Sequence, residues 1–377
     1  MNKPTLIFVS YLLAVNIITF FVYGIDKLKA KKSLWRVPES TLLLLAVAGG
    51  SIGAWTGIKI WHHKTKHKKF KYGVPAIIAL QVALSVAAIH FRMTHKADHT
   101  LSEIRQNRLQ QQIDSLLADV PAEVGVVITC EGRKICGFNE NKRFPMMSVY
   151  KLHQAVAVLD SLNRSTQSAD DRITVTKQML KENTYSPLRE RYPEGNIRMS
   201  LKELLRYSLE QSDNNACDIL FSLFGGTVYT NTAMMRMGLT DTQIKWTEDK
   251  MHENSMRCKD NYTTPLEAVT LTTLAYKDTW LRQVLTQCQT GKDRIPALLP
   301  KSRTIVGHKT GTGDAAPDGT TMGINDTGFV TLPDGTPYFI AVFCNESSLS
   351  IPETEKIIAR ISRLSYDYLI KKYDTRN

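Results

Sequence analysis

Three apolar runs near the start of the chain, Thr5–Tyr23, Thr41–Trp61 and Gly73–Phe91, restrict its folding more than any other feature. The first is long enough to cross a bilayer as a helix, with only Ser10, Asn16 and Thr19 as polar breaks. Its length, and the lack of a basic leader and a small-residue cleavage pattern, argue against a removable signal peptide. The second run is broken by Gly49-Gly50-Ser51 and Gly53. Lys27, Lys29, Lys31, Lys32 and Arg36 come after the first run, and Lys64, Lys66, Lys68, Lys69 and Lys71 after the second. Both loops prefer the cytoplasmic face. A spanning second run would break that preference for one loop, whereas a re-entrant hairpin at its glycine-rich centre keeps both inside. In either arrangement the second loop is inside and the third run exports the remainder of the chain.

Charge divides the chain the same way. Residues 1–97 carry 14 Lys and Arg against Asp26 and Glu39, which accounts for the whole formal charge of +12; the remainder is neutral. The basicity therefore belongs to a membrane module that contacts the lipid bilayer, and no nucleic-acid partner is expected. Asp26 and Glu39 are expected to pair with neighbouring bases. His62, His63 and His67 are expected in a solvated loop facing lipid headgroups rather than in a metal site.

After a polar linker over Arg92–Thr100, Leu101–Leu117 reads as an amphipathic helix with Ile104, Leu109, Ile113 and Leu117 on one side. Val124–Thr129 and Lys134–Phe138 read as strands joined by a Glu-Gly turn. Residues about 150–300 read mostly as helix, with Ser200 and Glu203 spaced as a capping box before Leu201–Leu209. Asn215–Leu223, Thr227–Met237 and Pro265–Ala275 are further helices, and Trp246–Tyr262 is a long irregular stretch. Thr304–Lys309, Asp326–Leu332 and Tyr338–Cys344 are strands, the last two flanking the turn Pro333-Asp334-Gly335-Thr336, and Pro352–Tyr373 is a closing helix. Strands at both ends with helices between predict an α+β domain: a five-stranded antiparallel sheet covered by terminal helices, with an inserted all-helical lobe.

Pro145 opens a helix in which Ser148 stands near the N-terminus and Lys151 lies one turn on, a hydroxyl and an amine on one face. Alone, this reads as an N-cap serine and a solvated lysine. Ser212-Asp213-Asn214 reads alone as a cap, and Lys309-Thr310-Gly311 as a strand end. The three in this order are the motif set of class A β-lactamases and penicillin-binding proteins. From about residue 98 to the C-terminus the chain resembles a class A serine β-lactamase, fused C-terminally to the membrane module. The domains expected are thus 1–97, a transmembrane module of two or three spans, and 98–377, a catalytic domain with the β-lactamase/D-Ala-D-Ala peptidase-like fold.

The resemblance implies a β-lactam antibiotic as substrate and an acyl-enzyme on Ser148. Lys151 would take the proton of Ser148, Ser212 would pass one to the leaving nitrogen, and Asn214 would hold the substrate amide. Lys309, Thr310 and Thr312 would meet the substrate carboxylate beside Gly311, and the backbone N–H groups of Ser148 and Thr312 would form the oxyanion hole. No guanidinium partner for that carboxylate stands out. Glu248, 36 residues after Ser212 in the irregular loop, would activate the deacylating water, with Asp249 and Glu253 as alternatives. Met251-His252 departs from the usual Leu-Asn, so His252 would hold that water in place of asparagine. This variant and the stretch from Asp326 to Thr336 are similar to an extended-spectrum, cephalosporin-hydrolysing subgroup. Without Glu248 the alternative is a D-alanyl-D-alanine peptidase; with slow deacylation, a β-lactam sensor.

The module resembles a small bacterial inner-membrane family of unknown function. The likeness rests on Tyr23-Gly24-Ile25-Asp26-Lys27, Arg36-Val37-Pro38-Glu39, Gly49-Gly50-Ser51-Ile52-Gly53 and His63-Lys64-Thr65. The expected location is the inner membrane, multi-pass, with the catalytic domain periplasmic. Six cysteines allow 15 pairings. Cys130–Cys136 across the first hairpin is the leading candidate. No metal-ligand spacing is present, so neither metal nor cofactor is expected.

Overall fold

The computed structural model describes residues 3–374, excluding the side chains of residues 3–5, 7–8, 89, 92–107 and 373–374. It contains two compact units, Met1–Leu101 and Ser102–Asn377.

In the first unit the second apolar run is a hairpin. Glu39–Leu45 leads through a π-helical stretch, Ala46–Gly50, into the helix Ser51–Ile60. Gly49, with a φ of 111° that glycine alone adopts readily, turns the chain back. Contacts with the first helix, Lys3–Lys31, trace the path. The Tyr23 hydroxyl donates to Leu42 O at 3.2 Å, and Asn16 Nδ2 donates to Gly49 O at 2.8 Å. On the return Gly53 N donates to Asn16 Oδ1 at 2.7 Å, and Gly57 packs against Tyr23. Gly53 leaves no room for a side chain, since a Cβ would stand 2.0 Å from the Asn16 carbonyl oxygen.

An irregular tip leaves carbonyls without helical partners, and in an apolar setting each must find another. Gln81, on the helix Gly73–Leu117, donates to Ala46 O and Val47 O at 3.1 Å each and accepts from Ser51 Oγ at 2.6 Å. The open end of the hairpin closes on Asp26. Its carboxylate accepts from Val37 N at 2.9 Å and meets His63 Nε2 at 2.7 Å. Glu39 pairs with Lys64 at 2.8 Å, so both acids have the basic partners expected of them. His63, however, is buried rather than facing headgroups. It is the partner of a carboxylate enclosed beside the apolar cluster of Tyr23, Leu42 and Phe70.

The Gly73–Leu117 helix also corrects the linker expected over Arg92–Thr100. That stretch has neither glycine nor proline, so nothing terminates the helix there. Leu109, Ile113 and Leu117 are buried as expected; the side chain of Ile104 lies outside the described residues.

The second unit is built on one five-stranded antiparallel sheet. Its strands are β1 (Glu123–Cys130), β2 (Arg133–Phe138), β3 (Ile305–Thr312), β4 (Ile324–Thr331) and β5 (Pro337–Asn345). The spatial order is β2-β1-β5-β4-β3, so the two ends of the domain meet at β1 and β5. Period-2 alternation sorts the side chains. Val126, Ile128, Ile340 and Val342 face the Leu109–Leu117 segment and the closing helix Ile351–Asp374. Val127, Phe339, Ala341 and Phe343 face the helix Pro265–Lys277 and the helical lobe. The lobe holds Tyr150–Asn163, Leu201–Glu210, Asn214–Leu223 and Gly226–Arg236. Ser200 and Glu203 form the predicted capping box.

Two small antiparallel pairs, Arg172–Val175 with Ile197–Ser200 and Phe144–Pro145 with Tyr262–Thr263, were not legible as strands because two to four residues carry no measurable period. Among the described residues none of the six cysteines is joined in a disulfide. The tight turn pairs Cys130 with Arg133, and Cys136 pairs with Ile128, so the two cysteines are not cross-strand partners in the first hairpin.

If the hairpin depends on close approach at Gly53, Gly53→Val should destabilise it by ~1–3 kcal/mol. Amide exchange across residues 39–60 should accelerate, whereas Ile52→Val, 61% exposed, should leave it unchanged.

Candidate active site

The sheet edge and the helical lobe meet at a cleft of about 430 Å³ lined by Ser148, Ser212, Asn214, Glu248 and Thr310 among others. Ser148 lies in a 3-10 turn, Met147–Val149, that leads directly into the buried helix Tyr150–Asn163. The preceding Met147 has a φ of 50°, an unusual value for a non-glycine residue. Strand β3 presses against this turn. A Cβ at Gly311 would lie 2.4 Å from Met146 O and 3.1 Å from Ser148 N, so only glycine lets the strand approach the nucleophile.

Lys151, fully buried, donates to Ser148 Oγ at 2.7 Å and to Asn214 Oδ1 at 2.8 Å, and makes a short ion pair with Glu248 Oε1. Asn214 in turn donates to Thr184 Oγ1 at 2.8 Å. Ser212 has a φ of 58° and receives a hydrogen bond from Lys309 Nζ at 2.9 Å. Asp213 turns inward: it accepts from Ala216 N at 2.8 Å and Leu188 N at 2.7 Å, capping the Asn214–Leu223 helix and fixing the loop between the two functional side chains. Burial, reinforced by the charge of Lys151, brings Lys309 down to about 7.

Thr310 and Gly311 lie on β3 as expected, and the exposed Thr312 ends it. A guanidinium that the sequence did not reveal, Arg294, stands behind the end of β3. It is buried, donates to Thr312 Oγ1 at 2.7 Å and to Gly311 O and Asn325 O, and pairs with Glu355 at 3.1 Å. Its segment has no regular secondary structure, so no local pattern marked it.

The irregular stretch contains a short helix, Glu248–Glu253. Its start is held by Asp218, whose two oxygens accept from Glu248 N at 2.9 Å and Asp249 N at 2.7 Å. Burial and the nearby charge of Glu248 push Asp218 up to about 7. Asp218 was also missed, although its place one turn after Asn214 on one helix was a readable signal. Lys245 and Trp246 Nε1 both reach Asp260, at 3.0 and 2.8 Å, and Asn261 bonds the backbone of residues 245 and 246, closing the loop at its neck. Of the three acids considered, Glu248 alone pairs with Lys151; Glu253 pairs with Lys250 and Arg257. His252 stands exposed at the rim of the cleft, one turn after Glu248.

This arrangement offers a hydroxyl hydrogen-bonded to an amine, a carboxylate on that amine, and a second amine beside a second hydroxyl, the parts needed for acyl transfer through a serine. Residues 108–369 match the model of the beta-lactamase enzyme family. A β-lactamase of Bacteroides uniformis is 37% identical over 273 residues, covering 70% of this chain and 92% of that protein. The crystal structure of a class A β-lactamase from Bacteroides cellulosilyticus superposes with a TM-score of 0.68 at 39% identity, covering 71% of this chain and 99% of that one. Ahead of this domain, residues 16–70 match a family described as a protein of unknown function. An uncharacterized protein of Bacillus subtilis is 43% identical over 79 residues, 21% of this chain and 89% of that protein. The chain therefore belongs to the beta-lactamase enzyme family, its second unit being a class A serine β-lactamase that hydrolyses the β-lactam amide, preceded by an N-terminal domain of unknown function.

Proposed function

We propose that Ser148 is the nucleophile, Lys151 and Glu248 its proton-handling partners, and that the membrane module tethers this hydrolase to the inner membrane with the cleft on the periplasmic side. The single observation that carries the site reading is the Lys151 amine, which touches Ser148, Asn214 and Glu248 at once. Removal of the Ser148 proton by a base in this cluster lets Oγ attack the β-lactam carbonyl, with the N–H groups of Ser148 and Thr312 receiving the oxyanion. Ser212, polarised by Lys309, returns a proton to the departing nitrogen. Asn214 holds the substrate amide. Lys309, Thr310, Thr312 and the Arg294 guanidinium behind them provide a cationic, hydroxyl-lined seat for the substrate carboxylate. Glu248 then activates water against the ester, with His252 at the rim positioning that water. His252 and the Asp326–Thr336 segment favour cephalosporins among the substrates.

The hairpin supports this topology. Asp26, Val37 and His63 meet at one end of the module, so the basic loops on either side of the hairpin share that end. A ten-residue return helix rises about 15 Å, half of a ~30 Å hydrocarbon core, as a re-entrant segment would. The positive-inside preference then puts both loops in the cytoplasm and directs the helix beginning at Gly73 outward.

The catalytic domain should hydrolyse a chromogenic cephalosporin without added metal, and chelation should leave the rate unchanged; loss of turnover with chelator would refute the serine mechanism. Glu248→Ala should separate the half-reactions. Loss of a general base costs ~10²–10⁴-fold, so mass spectrometry should find one β-lactam retained on the Ser148 peptide, and none in Ser148→Ala. Wild-type turnover by Glu248→Ala would remove Glu248 from the role. For topology, single cysteines at Ser33 and Lys66 in a cysteine-free background should both resist an impermeant maleimide until the membrane is opened. Labelling of Ser33 alone from outside would mean that residues 39–60 span.

A further inference from the structure

Two charged side chains buried in the sheet, His308 on β3 and Asp326 on β4, do not line the cleft. The Asp326 carboxylate holds His308 Nδ1 at 2.9 and 3.0 Å. The imidazole has room because Gly328 stands opposite it; a Cβ there would lie 2.6 Å from His308 Cβ. A buried ion pair is weak evidence for stability, since desolvation offsets much of its attraction. The stronger consequence is what the pair holds in place.

Asp326 Oδ2 also accepts from Ile295 N at 3.1 Å. Ile295 follows Arg294, the guanidinium behind the carboxylate seat, in a segment without regular secondary structure. Bonds from other elements therefore have to fix it. On the closing helix, Ser362 Oγ donates to Ile295 O at 2.9 Å, and Glu355, two turns earlier, pairs with Arg294. Ile295 is thus held at both backbone groups, its N–H by β4 and its carbonyl by the closing helix. The same segment closes on the seat itself. The Thr290 hydroxyl bonds the hydroxyl of Thr310, and a Cβ at Gly291, whose φ is 63°, would stand 2.4 Å from Thr310 Cγ2. Little slack remains between this clamp and the guanidinium contacts with Thr312 Oγ1 and Gly311 O.

We propose that Asp326, oriented by His308, and Ser362 are positioning residues that set how far the Arg294 guanidinium reaches toward the substrate carboxylate, and thereby the affinity for the anionic end of the β-lactam. The inference rests on the reading of Arg294 as part of that seat. Asp326 and Ser362 act through Ile295, and His308 acts through Asp326. Burial lowers His308, and the Asp326 carboxylate more than offsets this, holding the imidazole protonated up to about 10. The carboxylate therefore faces a cation across the neutral range while its Oδ2 stays on Ile295 N.

The test uses the full-length protein in detergent and a chromogenic cephalosporin. Arg294→Gln should raise KM by about tenfold with little change in kcat, the scale of one charge-assisted hydrogen bond. Asp326→Asn and Ser362→Ala should each raise KM severalfold with kcat retained, and the retained kcat also shows that they fold. If the lost charge at Asp326 prevents folding, Ser362→Ala still loosens the same residue from its other side. Combined with Arg294→Gln, neither substitution should raise KM further, because the group through which it acts is gone. Effects that multiply with Arg294→Gln, a fall in kcat in place of a rise in KM, or an unchanged KM in either folded variant would overturn the positioning role. A normal KM in Arg294→Gln would instead remove the guanidinium from the seat, and the inference with it.

Discussion

The Lys151 ammonium is the interaction on which the catalytic unit depends. A buried cation carries a desolvation cost of several kcal/mol unless its protons are all matched. Here they are matched by Ser148, Asn214 and Glu248, which come from the nucleophile turn, the lobe and the irregular loop. One amine thereby fixes three separate chain segments. The second amine, Lys309, lies on β3, where burial first and then the charge of Lys151 bring it down to about 7.

The Ser148 turn, the Ser212–Asn214 loop and the Lys309–Gly311 strand end were legible because each packs its chemistry into three or four consecutive residues. Their mutual contacts were not legible from spacing alone; they required the motif set to be read together. Arg294, Asp218 and Thr290 act from behind the readable residues, and their partners lie far off in sequence. The helix Leu201–Glu210, with its capping box, was legible to within a residue. Polarity does not end the helix at Arg92–Thr100, because polar side chains, unlike glycine and proline, carry little helix penalty. The Cys130–Cys136 pairing is not borne out because the tight turn sets Cys130 opposite Arg133, three residues short of Cys136.

The module presents the same balance in an apolar setting. Its sequence left open whether residues 41–61 cross or turn back. In the structure Asn16 and Gln81 hydrogen-bond the backbone around the reversal at Gly49, and Ser51 holds the Gln81 side chain. Without such partners a straight helix would be the cheaper solution.

The order of the sheet has a consequence for how the enzyme comes into being. β1 pairs along its length with β5, joining Cys130 to Tyr338 and Glu123 to Asn345, and β2 has no other neighbour. Until the last strand emerges, the first two are an isolated hairpin, which is marginal in water. Loop closure across most of the domain must precede the pairing, and contacts of such high sequence separation form slowly. Strand β3, which carries Lys309 and floors the Ser148 turn, joins β1 only through β4 and β5. The hydrolase thus has no partially built working form: a ribosome that stops a few dozen codons early releases a chain holding every motif residue and no active site.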